Sequence, residues 1–234
     1  QALLDSLGLQ RNPKKGVWTP TQVGDHLGLT VDLHRGEFRA PLAKLHHLAQ
    51  HASSLLGRAA SNARWLPTRQ LAAFAGKAQF LYLAIAPARF FLRELHNVLA
   101  TRTGWGGRVR LTHQLRRDLE WWRTVPSQHN GRSIYKPIET AYLHADSSDY
   151  GWGAVLNEDA KYQARGFWSA TDRLQHITWK ELRAVRHAVE TFLPQLRGRQ
   201  VLLHEDNTAV VAGLTKLTSR SPAMMTELRR CWFV

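Results

Sequence analysis

The second half of the chain consists of short runs that alternate apolar and polar residues, interrupted by one longer helical run. The alternating runs predict strands, and the apolar spacing of the longer run predicts a helix. Three hairpin-linked strands, a crossover helix and a fourth strand predict a mixed α/β sheet. The predicted elements are strands over about 141–147, 151–157 and 161–168, a helix over 179–193, a strand over 200–205, and helices over 207–215 and 222–233.

Three acidic residues of this half lie where a strand ends or a helix begins. Asp146 closes the run AYLHAD, Glu181 lies in the first turn of TWKELRAVRHAVETFL, and Asp206 ends VLLHED. Carboxylates that meet at one end of a sheet can hold two Mg²⁺ ions, with Mn²⁺ as an alternative. Such a metal pair activates water and stabilises the leaving oxygen in phosphodiester cleavage. The sequence therefore predicts a two-metal site formed by these carboxylates.

Each of these carboxylates also has a purely structural interpretation. Thr178 and Glu181 have the spacing of a capping box, in which Glu181 bonds back to the Thr178 amide. Asp206 could be the N-cap of the next helix, and Asp146 could be solvated at a strand end. Glu205 is expected to point to the opposite sheet face from Asp206, because strand side chains alternate. Tyr150-Gly151-Trp152-Gly153 predicts a tight connection with a close backbone approach.

The charge of the chain points to a polyanionic partner. Lys and Arg number 32 against 18 Asp and Glu, which gives a formal net charge of +14. Arginine predominates among the cations, and its planar guanidinium suits phosphate recognition. Nucleic acid is the simplest such partner, although a basic surface for membranes or for solubility remains an alternative.

The single cysteine and the absence of long apolar runs limit the cellular compartments in which the protein is expected. Cys231 has no partner for an internal disulfide, which points to a reducing environment. No run approaches the ~18 apolar residues of a membrane span, and no signal-peptide pattern begins the chain. We therefore expect an intracellular protein, cytoplasmic or nuclear, with no membrane partner. The ends, QALLDSL and CWFV, suggest that both were cut from something longer.

The first half predicts strands followed by a long helical region. ALLDSLGL predicts a helix end with Gly8 as its stop signal, RNPKK a turn, GVWTP and VGDHLGLTVDL short strands, and RGEF a tight turn. From Pro41 to Thr124 the spacing is helical, with N-caps at Thr68 and Thr112 and a break at Pro87. PSQHNGRS reads as a linker, which places a domain boundary between Pro126 and Pro137.

The motifs LHADSSDYGWGAVL, WKELRAV and LLHEDNTAVV resemble the ribonuclease H fold of retroelement polyproteins. That family carries an aspartate on the first strand, a glutamate in the first helix and an aspartate after the fourth strand. Asp146, Glu181 and Asp206 match these positions. The GWGA and Asn207 are most like tyrosine-recombinase (DIRS-like) retrotransposons, and gypsy-like elements are the other relatives considered.

The first half resembles another part of the same polyproteins. LGLQRNPKKGVWTPTQVGDHLGLTVD is similar to the closing segment of a reverse-transcriptase palm, and the helical middle to the thumb and connection. The resemblance implies an α/β fold in three parts. These are a palm remnant over 1–40, a helical thumb and connection over 41–130, and a ribonuclease H-like mixed sheet over 138–234.

The chain departs from the family in two respects. The family has a fourth carboxylate on a final helix that follows a fifth strand, whereas only Glu227 lies near the end of this chain. The polymerase aspartates would lie before Gln1. The resemblance therefore implies a nuclease domain truncated before its last strand and helix, whose fourth strand is an exposed edge. The expected partners include the rest of the polyprotein: palm and fingers upstream, and the end of ribonuclease H downstream.

The function implied by the resemblance is hydrolysis of the RNA strand of RNA–DNA hybrids. Asp146 would ligate both Mg²⁺ ions, and Glu181 and Asp206 one each. Such a site distinguishes RNA from DNA through the 2′-hydroxyl. The alternative is an inactive or domesticated scaffold, derived from such an element, that binds nucleic acid without cleaving it.

Basic and aromatic residues outside the carboxylate motifs are candidates for nucleic-acid contacts. Trp65 and Trp105 could stack on bases, whereas the helical spacing of Trp121 and Trp122 favours the core. The candidate phosphate-contacting residues are Lys14, Lys15, Arg64, Arg69, Lys77, Arg89, Arg93, Arg116 and Arg117. His46, His47 and His51 predict a solvated or phosphate-facing helix rather than a metal site. His144 and His204 are expected at the sheet surface. His176 is expected near the scissile phosphate.

Overall fold

The computed structural model describes residues 2–9, 19–61, 64–124 and 126–234. The predicted RNPKK turn, the GVWTP strand and the candidate residues Lys14 and Lys15 lie largely or wholly outside these ranges. Helix α1 (Ala2–Ser6) ends as predicted, with Gly8 at a φ of +70°. None of the described helices is long and apolar enough to cross a membrane.

A small antiparallel sheet follows α1. Strands β1 (Val23–His26), β2 (Leu29–Asp32) and β3 (Glu37–Arg39) pair in sequence order. The strands predicted within VGDHLGLTVDL are β1 and β2, whereas β3 was not predicted. The predicted RGEF turn is correct only in part, since Gly36 has a φ of +64° but Glu37 already begins β3.

The helical region contains α2 (Leu42–Ser61), α3 (Thr68–Leu81), a 3-10 helix (Ala86–Phe91), α4 (Arg93–Ala100) and α5 (His113–Thr124). Two short strands, β4 (Trp65–Pro67) and β5 (Arg108–Arg110), form an antiparallel pair that the helical spacing did not predict. The break at Pro87 is confirmed, because this residue lies in the 3-10 helix between α3 and α4.

The two predicted helix caps differ in outcome. Thr112 Oγ1 accepts a hydrogen bond from the Leu115 amide at 3.0 Å, as an N-cap should. The prediction for Thr68 is wrong: it is already the first helical residue, and Pro67 occupies the cap position. The hydroxyl of Thr68 is buried and accepts or donates no hydrogen bond among the described residues.

The helical core is built on apolar stripes and on two neighbouring tryptophans. Leu45, Leu48 and Leu55 of α2 are buried. Trp122 is fully buried, and its indole N–H donates to the Phe91 carbonyl at 3.1 Å. The Trp121 ring stacks on the Phe91 ring with a centroid distance of 3.9 Å. The prediction that Trp121 or Trp122 belongs to the core is confirmed by the burial of Trp122, against which the half-buried Trp121 packs.

The segment PSQHNGRS is not a free linker, and that prediction is wrong. It forms a 3-10 helix (Pro126–His129) and strand β6 (Arg132–Ser133), which pairs with β3. Asn130 is buried between them, where its side chain accepts from the Ala40 amide and donates to the Ala40 carbonyl. These two bonds satisfy backbone groups that would otherwise be buried without partners. The domain boundary itself stays a prediction.

The second half forms the predicted mixed sheet. The strands β7 (Thr140–Ser147), β8 (Gly151–Leu156) and β9 (Gln163–Phe167) pair as successive antiparallel neighbours. After α6 (Ala170–Arg173) and α7 (Ile177–Leu196), β10 (Gln200–His204) pairs parallel to β7. The strand order is β10-β7-β8-β9. Helices α8 (Thr208–Lys216) and α9 (Pro222–Trp232) complete this half.

The sheet is covered by α7 on one face. Ala141, Leu143 and Ala145 of β7 are buried beneath this helix, which contacts both β7 and β8. The intervening residues of β7 lie on the other face, since strand side chains alternate. Among the described residues β10 pairs on one side only, so it is the predicted edge strand.

Helix α9 joins the two halves through buried charges. Arg229 donates to the Phe90 carbonyl at 2.6 Å and to the fully buried Asp118 of α5 at 3.0 Å. Burial raises the pKa of Asp118 to about 6, although the Arg229 guanidinium acts in the opposite direction. On the other side of α9, the buried Glu227 is paired with Arg183 and Arg186 of α7.

We expect Arg229→Gln to destabilise the protein by about 3–5 kcal/mol, because it leaves the buried Asp118 carboxylate unpaired. Since the folded pKa of Asp118 lies above the ordinary 3.8, its ionised form opposes folding above pH 6, and protonation relieves this cost as pH falls toward 3.8. Urea unfolding should therefore show a larger loss at about pH 8 than at about pH 5.

The matched control is Arg123→Gln, which changes the charge equally at an exposed residue of α5. Its effect should remain within about 0.5 kcal/mol at both pH values. An Arg229→Gln loss that does not vary with pH would contradict the role given to Asp118.

Candidate active site

Asp146 lies at the end of β7, on the sheet face that α7 does not cover. It is exposed, and its Oδ1 accepts a hydrogen bond from the adjacent Ser147 amide at 2.7 Å. Its partner across the β7–β8 ladder is Gly153. Opposite residues of an antiparallel pair share a face, so the absent side chain of Gly153 keeps one flank of Asp146 clear.

Asp206 is brought to the same end of the sheet by the pairing of β10 with β7. In the parallel register His204 is the partner of His144, so the chain leaves β10 beside the end of β7 that carries Asp146. Asp206 is exposed and is not the N-cap of α8. That position belongs to Asn207, whose Oδ1 accepts from the amides of Ala209 and Val210 at 3.1 and 3.3 Å. The capping interpretation of Asp206 is therefore wrong.

Glu181 is buried near the N-terminal end of α7, at 6% exposure. The capping-box interpretation is wrong here too, because the helix begins earlier than predicted. His176 is the N-cap, and its Nδ1 accepts from the Thr178 amide at 3.2 Å. Glu181 therefore lies beyond the first turn, and no capping requirement explains its position.

The acidity of Glu181 reports what surrounds it. Burial raises the pKa of Glu181 to about 7, and the charges of Glu205, Asp146 and Asp206 raise it further, while the Ser147 hydroxyl acts to lower it. The charges of these carboxylates act on Glu181 from nearby. All three of them, Asp146, Glu205 and Asp206, line one groove at this end of the sheet, and together with Glu181 we call them the cluster.

Glu205 is a fourth member of the cluster, which the sequence analysis placed on the opposite face. The strand β10 ends at His204, so the alternation of side chains does not extend to Glu205. Its Oε1 accepts from the Asn207 amide at 3.0 Å. Burial raises the pKa of Glu205, and so do the charges of Asp206 and Asp146. The sequence feature that could have indicated Glu205 as a member of the cluster is its position directly before Asp206.

The donors of this cluster suit a hard divalent cation. Glu181 Oε2 and Glu205 Oε2 are buried and accept no hydrogen bond from any described residue. Negatively charged oxygens with raised pKa values and no partner are stabilised by a cation, and Mg²⁺ takes carboxylate oxygens. As their side chains are placed, the described residues hold no group of three or more His, Cys, Asp or Glu that could bind a metal. Carboxylate rotation would therefore have to accompany binding.

The loop after Asp146 is fixed by buried contacts. The buried Lys180 donates from Nζ to Asp149 Oδ1 at 2.8 Å, which ties this loop to α7 beside Glu181. The indole of Trp168 donates to the Ser148 carbonyl at 2.8 Å. At Gly151 an added Cβ would lie 2.4 Å from the carbonyl oxygen of Gly166, which confirms the close backbone approach predicted for the YGWG segment.

A groove of about 1010 Å³ runs from the carboxylates across the uncovered sheet face. His144 and His204 lie within it, as expected of sheet-surface residues, and their rings stack with a centroid distance of 4.2 Å. Arg165 of β9 also lines the groove, and the sequence analysis did not select it. The groove thus combines acidic ligands at one end with imidazole and guanidinium groups along its length.

None of the selected basic residues that the structure describes lines this groove. Arg89 is half-buried, with its guanidinium 4.2 Å from the Tyr82 ring centroid, and Arg93 lines a separate cavity between α4 and α9. The others that the structure describes are distributed over α3, α5 and the loop before β4: Arg64, Arg69, Lys77 and Arg117 are exposed, and Arg116 is half-buried. His176 caps α7, and the α2 histidines His46, His47 and His51 form no metal-binding group.

Comparison with known proteins gives a coarse structural likeness. No protein-family model and no curated protein matches the chain. Structures of the foamy viral protease–reverse transcriptase are similar to it, at TM-scores of 0.39–0.40 and 11–12% identity. They are complexes with double-stranded DNA, one of them with the form designated dRH, and a complex with an RNA/DNA hybrid.

The alignments cover 90%, 89% and 92% of this chain, which spans only 35%, 27% and 43% of those viral chains. A likeness at this level defines neither the fold nor the ligands of this chain. The fold is described by its own sheet order.

We expect Glu181→Gln to stabilise the metal-free protein at about pH 8, by about 1–3 kcal/mol. The folded pKa of Glu181 lies near 7, above the ordinary 4.5, so its ionised form opposes folding above pH 7. The gain should shrink as pH falls from 7 toward 4.5. Chemical unfolding across this pH range measures it, and Glu158→Gln, at a side chain that is 83% exposed, is the control. Equal stability of the variant and the parent at high pH would contradict the clustering of these carboxylates.

Proposed function

We propose that this chain is part of a retroelement reverse transcriptase with a ribonuclease H-like domain, and that it contributes to hydrolysis of the RNA strand of RNA–DNA hybrids. The supporting observation is a cluster of carboxylates at one end of the sheet: Asp146, Glu205 and Asp206 line one groove, and the buried Glu181 of α7 lies within range of their charges. Helix capping explains neither Glu181 nor Asp206, and the cluster is electrostatically unfavourable without a cation. Such an arrangement is typical of a site kept for chemistry.

The cluster would supply ligands for two Mg²⁺ ions, or for Mn²⁺ in their place. Asp146, Glu181 and Asp206 would hold these ions, with Glu205 as a further acidic neighbour. When bound, two such ions lower the pKa of water and stabilise both the attacking and the leaving oxygens of a phosphodiester displacement. Lys180 and Asp149 hold the Asp146 loop against α7, which limits the freedom of both ligand-bearing segments.

The groove beside the cluster is the proposed path of the substrate. Arg165 offers a bidentate donor for a phosphate, and the stacked imidazoles of His144 and His204 present a flat surface toward the sugars. Selection for RNA would come from donors and acceptors that reach the 2′-hydroxyl. The formal charge of +14 favours a polyanion throughout.

The context proposed for the chain is a longer polyprotein. In it, the sheet of β1, β2 and β3 would end the palm, the helices α2 to α5 would form the thumb and connection, and the second half would be the nuclease. Template–primer nucleic acid and the remaining palm, fingers and nuclease segments are the proposed partners. A tyrosine-recombinase or gypsy-like element is the proposed source, because of GWGA and Asn207.

The direct test is cleavage of a hybrid whose RNA strand is labelled, with Mg²⁺, by this chain and by a version extended downstream. We expect Asp146→Asn, Glu181→Gln and Asp206→Asn each to reduce cleavage by more than the roughly 10–100-fold that an outer-shell partner is worth. A hybrid with 2′-deoxy substitution at the cut site should resist cleavage.

The control variant for this assay is Asp159→Asn, an equal charge change at an exposed loop residue, which should cleave as the parent does. If neither version of the parent cleaves and both bind the hybrid with strong salt dependence, the alternative function applies. That alternative, a nucleic-acid-binding scaffold, is favoured by the same net charge.

A further inference from the structure

The strand pair β4–β5 has one apolar face and one face of arginine and tryptophan. Leu66 and Val109 are opposite one another and buried. Because opposite residues of an antiparallel pair share a face, the neighbouring pairs point to solvent. Of these, Trp65 is 44% exposed beside its partner Arg110, and Arg108 is exposed as well.

Two further arginines and one further tryptophan flank this strand pair. Arg64 is exposed, and its carbonyl accepts from the Leu111 amide at 2.7 Å, which fixes it to the end of the ladder. Trp105 is 51% exposed in the glycine-rich loop before β5, with the Arg102 guanidinium 4.4 Å from its ring centroid. The Arg–Trp surface, as we call it, consists of Arg64, Trp65, Arg102, Trp105, Arg108 and Arg110.

The Arg–Trp surface lies in a part of the chain almost without acidic residues. Residues 38–93 and 95–117 contain no Asp or Glu. The intervening Glu94 is engaged by the Thr112 hydroxyl at 2.7 Å and the Asn97 amide at 3.2 Å. Among the residues that the structure describes, no carboxylate forms an ion pair with an arginine of this surface. Four cations beside two exposed indoles therefore lack internal counter-charges.

The combination of exposed arginine and tryptophan side chains specifies the chemistry of a ligand better than the positive charge alone does. Solubility or a purely electrostatic role would need the arginines but not two large exposed aromatic rings. A duplex presents phosphates while its bases remain stacked inside. A single strand presents phosphates and free base faces in alternation, which matches alternating guanidinium and indole groups.

We propose that the Arg–Trp surface binds single-stranded nucleic acid, with phosphates on its arginines and bases stacked on Trp65 and Trp105. None of its residues lines the carboxylate groove, so this function goes beyond the proposed hydrolysis and does not depend on it. Each base stacked on an aromatic ring contributes affinity with little sequence preference. Each phosphate contact contributes affinity that falls with salt.

The experiment is fluorescence-anisotropy titration of a labelled single-stranded DNA of about ten nucleotides, without divalent cations, over a series of KCl concentrations. Arg108→Gln with Arg110→Gln should reduce the slope of log K against log[salt] by about 1.4, or about 0.7 for each phosphate contact. The matched control, Arg123→Gln with Arg197→Gln, removes the same charge from exposed arginines of α5 and of the α7 C-cap. It should leave the slope unchanged.

Substitution of the tryptophans should change the binding affinity but not its dependence on salt. We expect Trp65→Leu or Trp105→Leu to weaken binding by about 5-fold to about 150-fold while leaving the salt slope unchanged, since stacking carries no charge. Indole fluorescence of the parent should be quenched by the oligonucleotide. Unfolding curves of each variant establish that the fold is retained, and both the tryptophan and the arginine variants change exposed side chains.

Three outcomes would overturn the proposal. An equal slope change in the arginine control would mean that the charge acts without a specific surface. Equal binding of single-stranded and duplex DNA, with tryptophan variants that bind like the parent, would exclude stacking. Binding of anionic phospholipid vesicles that depends on Trp65 and Trp105, with no such dependence for DNA, would assign the surface to membranes. Loss of hybrid cleavage in Asp146→Asn bears on none of these results.

Discussion

The packing of α7 against β7 and β8 determines where chemistry can occur in this chain. It covers one face of the sheet with Leu182, Val185 and Ala188 and leaves the other face to solvent. Near the N-terminal end of the same helix it places a buried carboxylate, Glu181, against the end of β7. The parallel return of β10 then adds Glu205 and Asp206 at that end. The candidate site is thus a consequence of one helix–sheet contact and one strand register.

The mixed sheet was predictable because its signals are local and periodic. The strands, α7 and the order in which they connect follow from apolar spacing, which burial on one face imposes directly. The helix caps were not predictable to the residue. Thr178 and Asp206 had suitable side chains, but His176 and Asn207 took the cap positions, since several residues near a helix end can accept the same amide bonds. Those differences matter because they free Glu181 and Asp206 from structural roles.

Long-range contacts account for the remaining differences. The linker prediction failed because Asn130 bonds to Ala40, which is distant in sequence and leaves no local signal. The pairing of β4 with β5 is also a contact between residues distant in sequence. In addition, each of these strands is only three residues long, which is too short for a periodic signal. Glu205 was misplaced because alternation was extended one residue beyond the end of β10. Asp146, Glu181 and Asp206 could be selected as candidate ligands from the sequence. Glu205 could be added only once the structure showed where β10 ends.

The acidic cluster and the Arg–Trp surface show the same physical condition with opposite sign. In each, like charges lie together without an ion pair to any described residue, which costs folding stability that a neutral or paired arrangement would not. A cation removes that cost at the cluster, and a polyanion removes it at the Arg–Trp surface. Elsewhere the fold pairs its buried charges, as Glu227 is paired with two arginines of α7 and Asp118 with Arg229. Because the described buried charges are otherwise paired within the fold, the buried and unpaired oxygens of Glu181 and Glu205 are best explained by a cation from outside it.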